Sequence, residues 1–179
     1  MVLFLFTEEK KDNKKMERNT DKKTKRLALA GQLCGATLLL TLISIPLPSG
    51  YGYVNLGDGG VFLCAMLLPG GLGALAAGVG AALADLILGW AIYAPVTLIV
   101  KGLTAFLAGF ALRKAKKAAT PLALLCCLVV PLGYFLYETV LLTAPVAAVN
   151  VLPNALQALL GACLGTLVGK QLKRNLLKA

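Results

Sequence analysis

The sequence predicts an all-α integral membrane protein, a six-transmembrane-helix bundle with both termini in the cytoplasm. Three observations predict it. Of 179 residues, 58% are hydrophobic and only 15% charged, where an ordinary soluble domain has about 45–50% and about 25%. The charges are segregated: nine basic residues lie between Lys10 and Arg26, four in Arg113–Lys117 and four in Lys170–Lys178. Between those blocks only Asp58, Asp85, Lys101 and Glu138 are charged. The net charge of +10 would on its own point to an acidic partner such as nucleic acid. The basic residues are not interleaved with stacking aromatics, so that reading is weak and no nucleic-acid partner is expected.

Crossing about 30 Å of hydrocarbon takes roughly 20 apolar residues. The first span is Leu27–Ile45, ended by Pro46-Leu-Pro48. A turn-rich loop, Ser49–Asn55, follows. The second span, Val61–Leu68 extended back toward Asn55, is short and ends at Pro69-Gly70-Gly71. Leu72–Leu88 is a third span of small residues, and Gly89–Pro95 is a junction. Val96–Leu112 is the fourth span, stopped by the basic segment. The fifth runs from Pro121 to about Thr143, opened by a proline where a missing N–H costs nothing. Ala144-Pro145 separates it from a sixth, Ala147–Val168. Residues 1–26 then form a basic, partly disordered cytoplasmic tail, 27–169 a membrane domain, and 170–179 a second basic tail. Met16 is a candidate start, which makes the first fifteen residues an extension. In this topology seventeen of eighteen basic residues face inward, as the positive-inside rule requires.

The remaining polar residues carry the functional argument. A charge inside a span costs several kcal/mol unless paired or hydrated, so each is a functional candidate. Asp58 reads equally as a helix cap or a ligand contact. Asp85 reads as a helix-packing group, and Lys101 needs a partner, for which Asp85 or Glu138 would serve. Glu138, mid-span and one turn after Tyr134, reads as a polar site. Tyr51, Tyr53, Trp90 and Tyr93 suit either an interfacial belt or a pocket wall. Asn154 and Gln157 share one helix face. Small residues recur at four-residue spacing at Gly31/Gly35, Ala74/Gly78, Ala77/Ala81 and Gly161/Gly165/Gly169, which allows close helix packing in lipid. The cysteines 34, 64, 126, 127 and 163 lie in apolar runs without a metal or redox spacing. There is no His and no Walker, GxSxG or HExxH motif, so neither a metal site, an enzyme nor a self-contained ATP-driven pump is expected.

Several strings in fixed order carry a family resemblance: Gly52-Tyr-Val-Asn-Leu-Gly-Asp58, Ala84-Asp85-Leu through Tyr93-Ala-Pro95, Ile99-Val-Lys101-Gly-Leu103, Gly133-Tyr-Phe-Leu-Tyr-Glu138 and Asn154-Ala-Leu-Gln157. The chain resembles an S component, the substrate-binding subunit of an energy-coupling factor (ECF) transporter, of the riboflavin-transporter-like family. The resemblance implies capture of a vitamin-like or nucleobase-like heteroaromatic compound from outside: riboflavin, a B6 form, a thiamine precursor or a queuosine precursor. It implies a transmembrane coupling subunit and two cytoplasmic ATPases as partners, in the plasma membrane of a prokaryote. The partners would use ATP, this chain would bind no cofactor, and toppling of the subunit would release substrate inward. The matched residues imply a ligand site of Tyr53, Asn55, Trp90, Tyr93, Lys101, Tyr134, Glu138, Asn154 and Gln157, with Asp58 and Asp85 supporting the loop and helix junction. Family members dock through small residues on the first helix, often Ala-x-x-x-Ala. Here the nearest matches are Ala30/Cys34 and Gly31/Gly35. A structural or pore-forming bundle is the alternative, but it has no need of so many intramembrane polar groups.

Overall fold

The computed structural model describes residues 2–47, 49–115 and 118–176, with side chains from residue 16 to 175. Pro48, Lys116, Lys117 and the end of the C-terminal tail, Lys178 included, lie outside the described residues.

Helix α1, Val2–Leu42, runs unbroken from the basic segment into the first apolar block. It stops four residues before Pro46, whose ring would collide with the Leu42 carbonyl in a continued helix. The end of the expected first span is not helical: it forms strand β1 (Ser44–Pro46), which pairs antiparallel with β2 (Tyr53–Asn55) from the expected loop, Ile45 opposite Val54. Gly50 and Gly52 take left-handed φ values of 75° and 83° in the turn between them, a conformation other residues adopt only with strain.

Helix α2, Gly57–Leu67, has 11 residues and is about 16 Å long. The expected second span is thus too short to cross a bilayer by itself. It packs against α1, α3 (Gly70–Ile87), α4 (Ala94–Lys114) and α7 (Ala144–Leu176). Its C-terminal carbonyls are met by Arg113, whose Nη1 donates to Ala65 O at 3.3 Å and Leu68 O at 3.1 Å. Helix ends leave such carbonyls without intrahelical partners.

Between α4 and α7 the fifth span is not one helix. It divides into α5 (Ala119–Leu125), a 3₁₀ turn at Cys126–Leu128 and α6 (Val129–Leu141). Pro131 accounts for the break, because it has no N–H to offer the Cys127 carbonyl and its ring crowds that group. Helix α7 begins at Ala144, earlier than expected, since Pro145 fits its first turn. It continues past Val168 through Lys173 and Arg174, cations that suit a helix C-terminus.

Among the described residues, four helical segments are long and apolar enough to cross a membrane: Gly70–Ile87, Ala94–Lys114, Ala119–Leu141 and Ala144–Asn175. The packing is that of a protein surrounded by lipid. The buried positions are rich in small residues such as Ala77, Ala81, Ala84, Ala108, Ala158 and Ala162, and in threonines. Large apolar side chains point outward in helical stripes, Leu128, Leu132, Leu136 and Val140 on the α6 side and Leu152, Leu156, Leu160 and Leu164 on α7. Between lipid-facing helices, close contact of small residues replaces the hydrophobic drive of a soluble core. On α7, a Cβ at Gly161 would lie 2.4 Å from Asp58 Cβ, and one at Gly165 would lie 2.4 Å from the Gly59 carbonyl. The third repeat, Gly169, meets Met66. Thus α2 and α7 approach more closely than any larger residue permits. Among the described residues, a Cβ at Gly31 or Gly35 on α1 would meet nothing within 4 Å.

Candidate functional site

Three local structures converge at the end of the bundle where α4 starts. The first is the β1–β2 hairpin. The second is the turn after α3, where Gly89 has φ 82° and Trp90 N donates to Asp85 O at 2.7 Å while Gly89 N donates to Leu86 O at 3.3 Å. This is the Schellman arrangement that closes a helix C-terminus, and it fixes Trp90 over the last turn of α3. The third is the polar face of α7, bearing residues 150, 154 and 157, which are separated by four and three positions and so lie in one row.

Lys101 is fully buried, and its partner is neither of the two expected. Its Nζ donates to Asp58 Oδ1 at 2.7 Å and Oδ2 at 2.8 Å. The correction follows from packing: α2 lies against α4, bringing its first turn to Lys101. Gln157 Nε2 adds a bond to Asp58 Oδ2 at 2.5 Å, and Gln157 Oε1 accepts the Asn55 N–H at 2.7 Å. Helix capping at α2 falls to Asn55, whose Oδ1 accepts the Gly57 N–H at 2.8 Å; no side chain caps from the Asp58 position. One row thus links β2, α2, α4 and α7.

The other two carboxylates are bonded to aromatics and an amide. The Tyr53 hydroxyl donates to Asp85 Oδ1. Glu138 Oε1 accepts from Tyr93 at 3.3 Å and Oε2 from Asn150 Nδ2 at 3.0 Å. An ordinary phenol is protonated at neutral pH, so both tyrosines can donate to these carboxylates. The same Asn150 Nδ2 reaches Tyr51 O at 3.2 Å and ties the hairpin to α7.

Eight of the nine expected ligand residues, Tyr53, Asn55, Tyr93, Lys101, Tyr134, Glu138, Asn154 and Gln157, line one cavity with Asp85, Thr41 and Thr97. Trp90 stands behind its aromatic wall, 6.3 Å from the Tyr53 ring centroid and 5.8 Å edge-on from Tyr93. Tyr134 continues the wall 6.4 Å beyond Tyr93 and lies under the Lys101 ammonium, 5.7 Å from its centroid. Asp58 is bonded to two of the lining residues from below. On α1, Ala30 is buried in the core, Cys34 is half-buried, its carbonyl in close contact with Gly80, and Gly31 and Gly35 face outward. Three contributors escaped the sequence reading: Asn150, Thr41 and Thr97. Asn150 sits four residues before Asn154, and that spacing was the signal for it. Thr97, whose hydroxyl shares a 2.9 Å hydrogen bond with that of Tyr134, carries no signal beyond its type.

The cavity has a volume of about 30 Å³, room for one or two waters. Small-ligand pockets occupy roughly 300–1,000 Å³. The side chains fill the site by bonding to one another, so a ligand larger than a few waters would have to displace them.

The family model for the ECF-type riboflavin transporter, S component, matches residues 21–174. The chain belongs to this family. It is also 32% identical over 142 residues to a Pyrococcus woesei protein described as "Uncharacterized protein in gap 3'region", covering 78% of this chain and 95% of that one. The family is one of transporter components, not of enzymes. With its apolar helices, this S component is a multi-pass membrane protein and the substrate-binding part of a transporter, acting on a small molecule with an energizing module.

Proposed function

We propose that this S component captures a vitamin-like or nucleobase-like heteroaromatic compound from outside the cell and delivers it inward when an ATP-driven module acts on it. The observation that carries this reading is the convergence of eight expected ligand residues on one cavity inside a membrane bundle. The tyrosine wall suits a flat ring, and the amides and carboxylates suit its polar edge. Access requires the hairpin to lift, breaking the Asn150–Tyr51, Asn55–Gln157 and Tyr53–Asp85 contacts. Riboflavin, B6 forms, thiamine precursors and deazapurine queuosine precursors all fit that description.

The domain is residues 27–169 between two basic cytoplasmic tails, 1–26 and 170–179, in the plasma membrane of a prokaryote. The bundle makes six passes, with α2 and the hairpin together serving as the second. The partners are a transmembrane coupling subunit and two ATPases, which supply the ATP chemistry; this chain carries no cofactor. The open Gly31/Gly35 face of α1 is the docking surface, while Ala30 and Cys34, also expected there, turn into the bundle, and toppling against the coupling subunit releases substrate.

Trp90, the only tryptophan, is a built-in reporter. Titrating the purified protein with these compounds should quench or shift its fluorescence saturably and raise Tm. A well-folded protein that binds none of them would overturn the capture reading in favour of a structural bundle.

A further inference from the structure

The acceptors and donors around the cavity do not balance. Three carboxylates, Asp58, Asp85 and Glu138, surround the site, each almost fully buried. They face a single ammonium, Lys101, and both Asp58 oxygens already engage it. No second cationic side chain lines the cavity among the described residues. Asp85 Oδ2 is buried and accepts no hydrogen bond among the described residues, although Asp85 lines the cavity. Burying a carboxylate oxygen without a donor is costly. Glu138 receives only neutral donors, from Tyr93 at 3.3 Å and Asn150 at 3.0 Å.

Resting on the capture reading, we infer that the ligand is a flat heteroaromatic bearing a protonated amine or a similarly cationic donor edge, and that Asp85 Oδ2 is its counter-ion. Asp85 is therefore a ligand-contacting residue and not only a support of the helix junction. The tyrosine wall serves the same ligand twice: its faces stack on the ring, and their negative quadrupole favours a nearby cation. An anionic compound would meet two carboxylates with the only ammonium already neutralised. Lys101 is then not a ligand-charge reader but the group that keeps Asp58 from adding a third free negative charge.

Pairs of compounds that differ at one group test this: pyridoxamine against pyridoxine, and 7-aminomethyl-7-deazaguanine against 7-cyano-7-deazaguanine, with riboflavin as a neutral reference. The full-length protein in nanodiscs is titrated with each, reading Trp90 fluorescence and calorimetric heat. The expected result is that the amine of at least one pair binds about 10- to 100-fold more tightly than its partner, the range of an ion-assisted hydrogen bond. Asp85→Asn should collapse that ratio toward one. If Asp85→Asn does not fold, Tyr53→Phe decides, because it frees Asp85 Oδ1 as well and should keep or widen the ratio. Equal or tighter binding of the neutral partners, a ratio unchanged by Asp85→Asn, or one lost in Tyr53→Phe overturns the inference. Binding of riboflavin alone overturns it while leaving the capture reading intact. Binding of no compound overturns both.

Discussion

The Asp58–Lys101 cluster and the Asp85–Glu138 wall lie within one site, and they are satisfied to different degrees. Every oxygen of Asp58 has a charged or amide donor, at 2.5–2.8 Å. Among the described residues, the Asp85 carboxylate has one bonded oxygen and one bare one, and the Tyr93 bond to Glu138 is long at 3.3 Å. A saturated buried pair has nothing left to offer a ligand and acts as a clamp between helices. A partly satisfied group keeps binding capacity at some cost to the fold. In a membrane interior both kinds of charge look alike in sequence, and only the tally of partners separates them.

The largest test removes the clamp. Asp58→Ala leaves Lys101 buried without its counter-ion, which should cost about 3–5 kcal/mol and appear as a severe loss of Tm or of folded protein. The double variant Asp58→Leu/Lys101→Met should recover much of that stability, since apolar replacements of both partners are often tolerated. A single variant that melts near the parent would erase the distinction between the two clusters. Next in size is Gly161→Val. Its side chain would strike Asp58 and Gly59 and separate α2 from α7, costing about 1–3 kcal/mol as overpacking; the lowered Tm should come with weaker ligand binding. Glu138→Ala should reverse the balance of effects. It should lower affinity by roughly tenfold or more while reducing Tm less than Asp58→Ala does, because it removes a group bonded only by neutral donors. The smallest effect on the isolated protein belongs to Gly31→Leu/Gly35→Leu. With open space around both glycines, Tm and ligand affinity should stay near parental values, and only co-purification with the coupling subunit should fail. Lost ligand binding in that variant would mean that the face is part of the bundle.

Much of this architecture is legible in the sequence because prolines and glycines act locally. Pro46, Gly89 and Pro145 mark boundaries by rules that need no tertiary information, and the site residues stand out as polar groups in apolar spans. What was not legible depends on which helices touch. Lys101 had three carboxylates to choose from, and the choice is made by packing: Gly161 and Gly165 bring the first turn of α2 against α7, and Gly109 lets α4 lie against α2 at Ala65. The hairpin strands have three residues each, too few for an alternating pattern to show. Asn150 lies inside the expected sixth span, four residues before Asn154, but its role depends on Glu138 of α6 and Tyr51 of the hairpin, both distant in sequence, being packed against it.

The brevity of α2 has a spatial consequence. Its 11 residues cover about 16 Å, close to half of the hydrocarbon thickness. A full-length helix at that central position would have filled the bundle from one side to the other with backbone whose hydrogen bonds are already spent. Because it stops halfway, the remaining volume is occupied by two short strands held by a handful of side-chain bonds. The proposed ligand site is thus housed where the other half of a transmembrane helix would have been, beside strands of only three residues each.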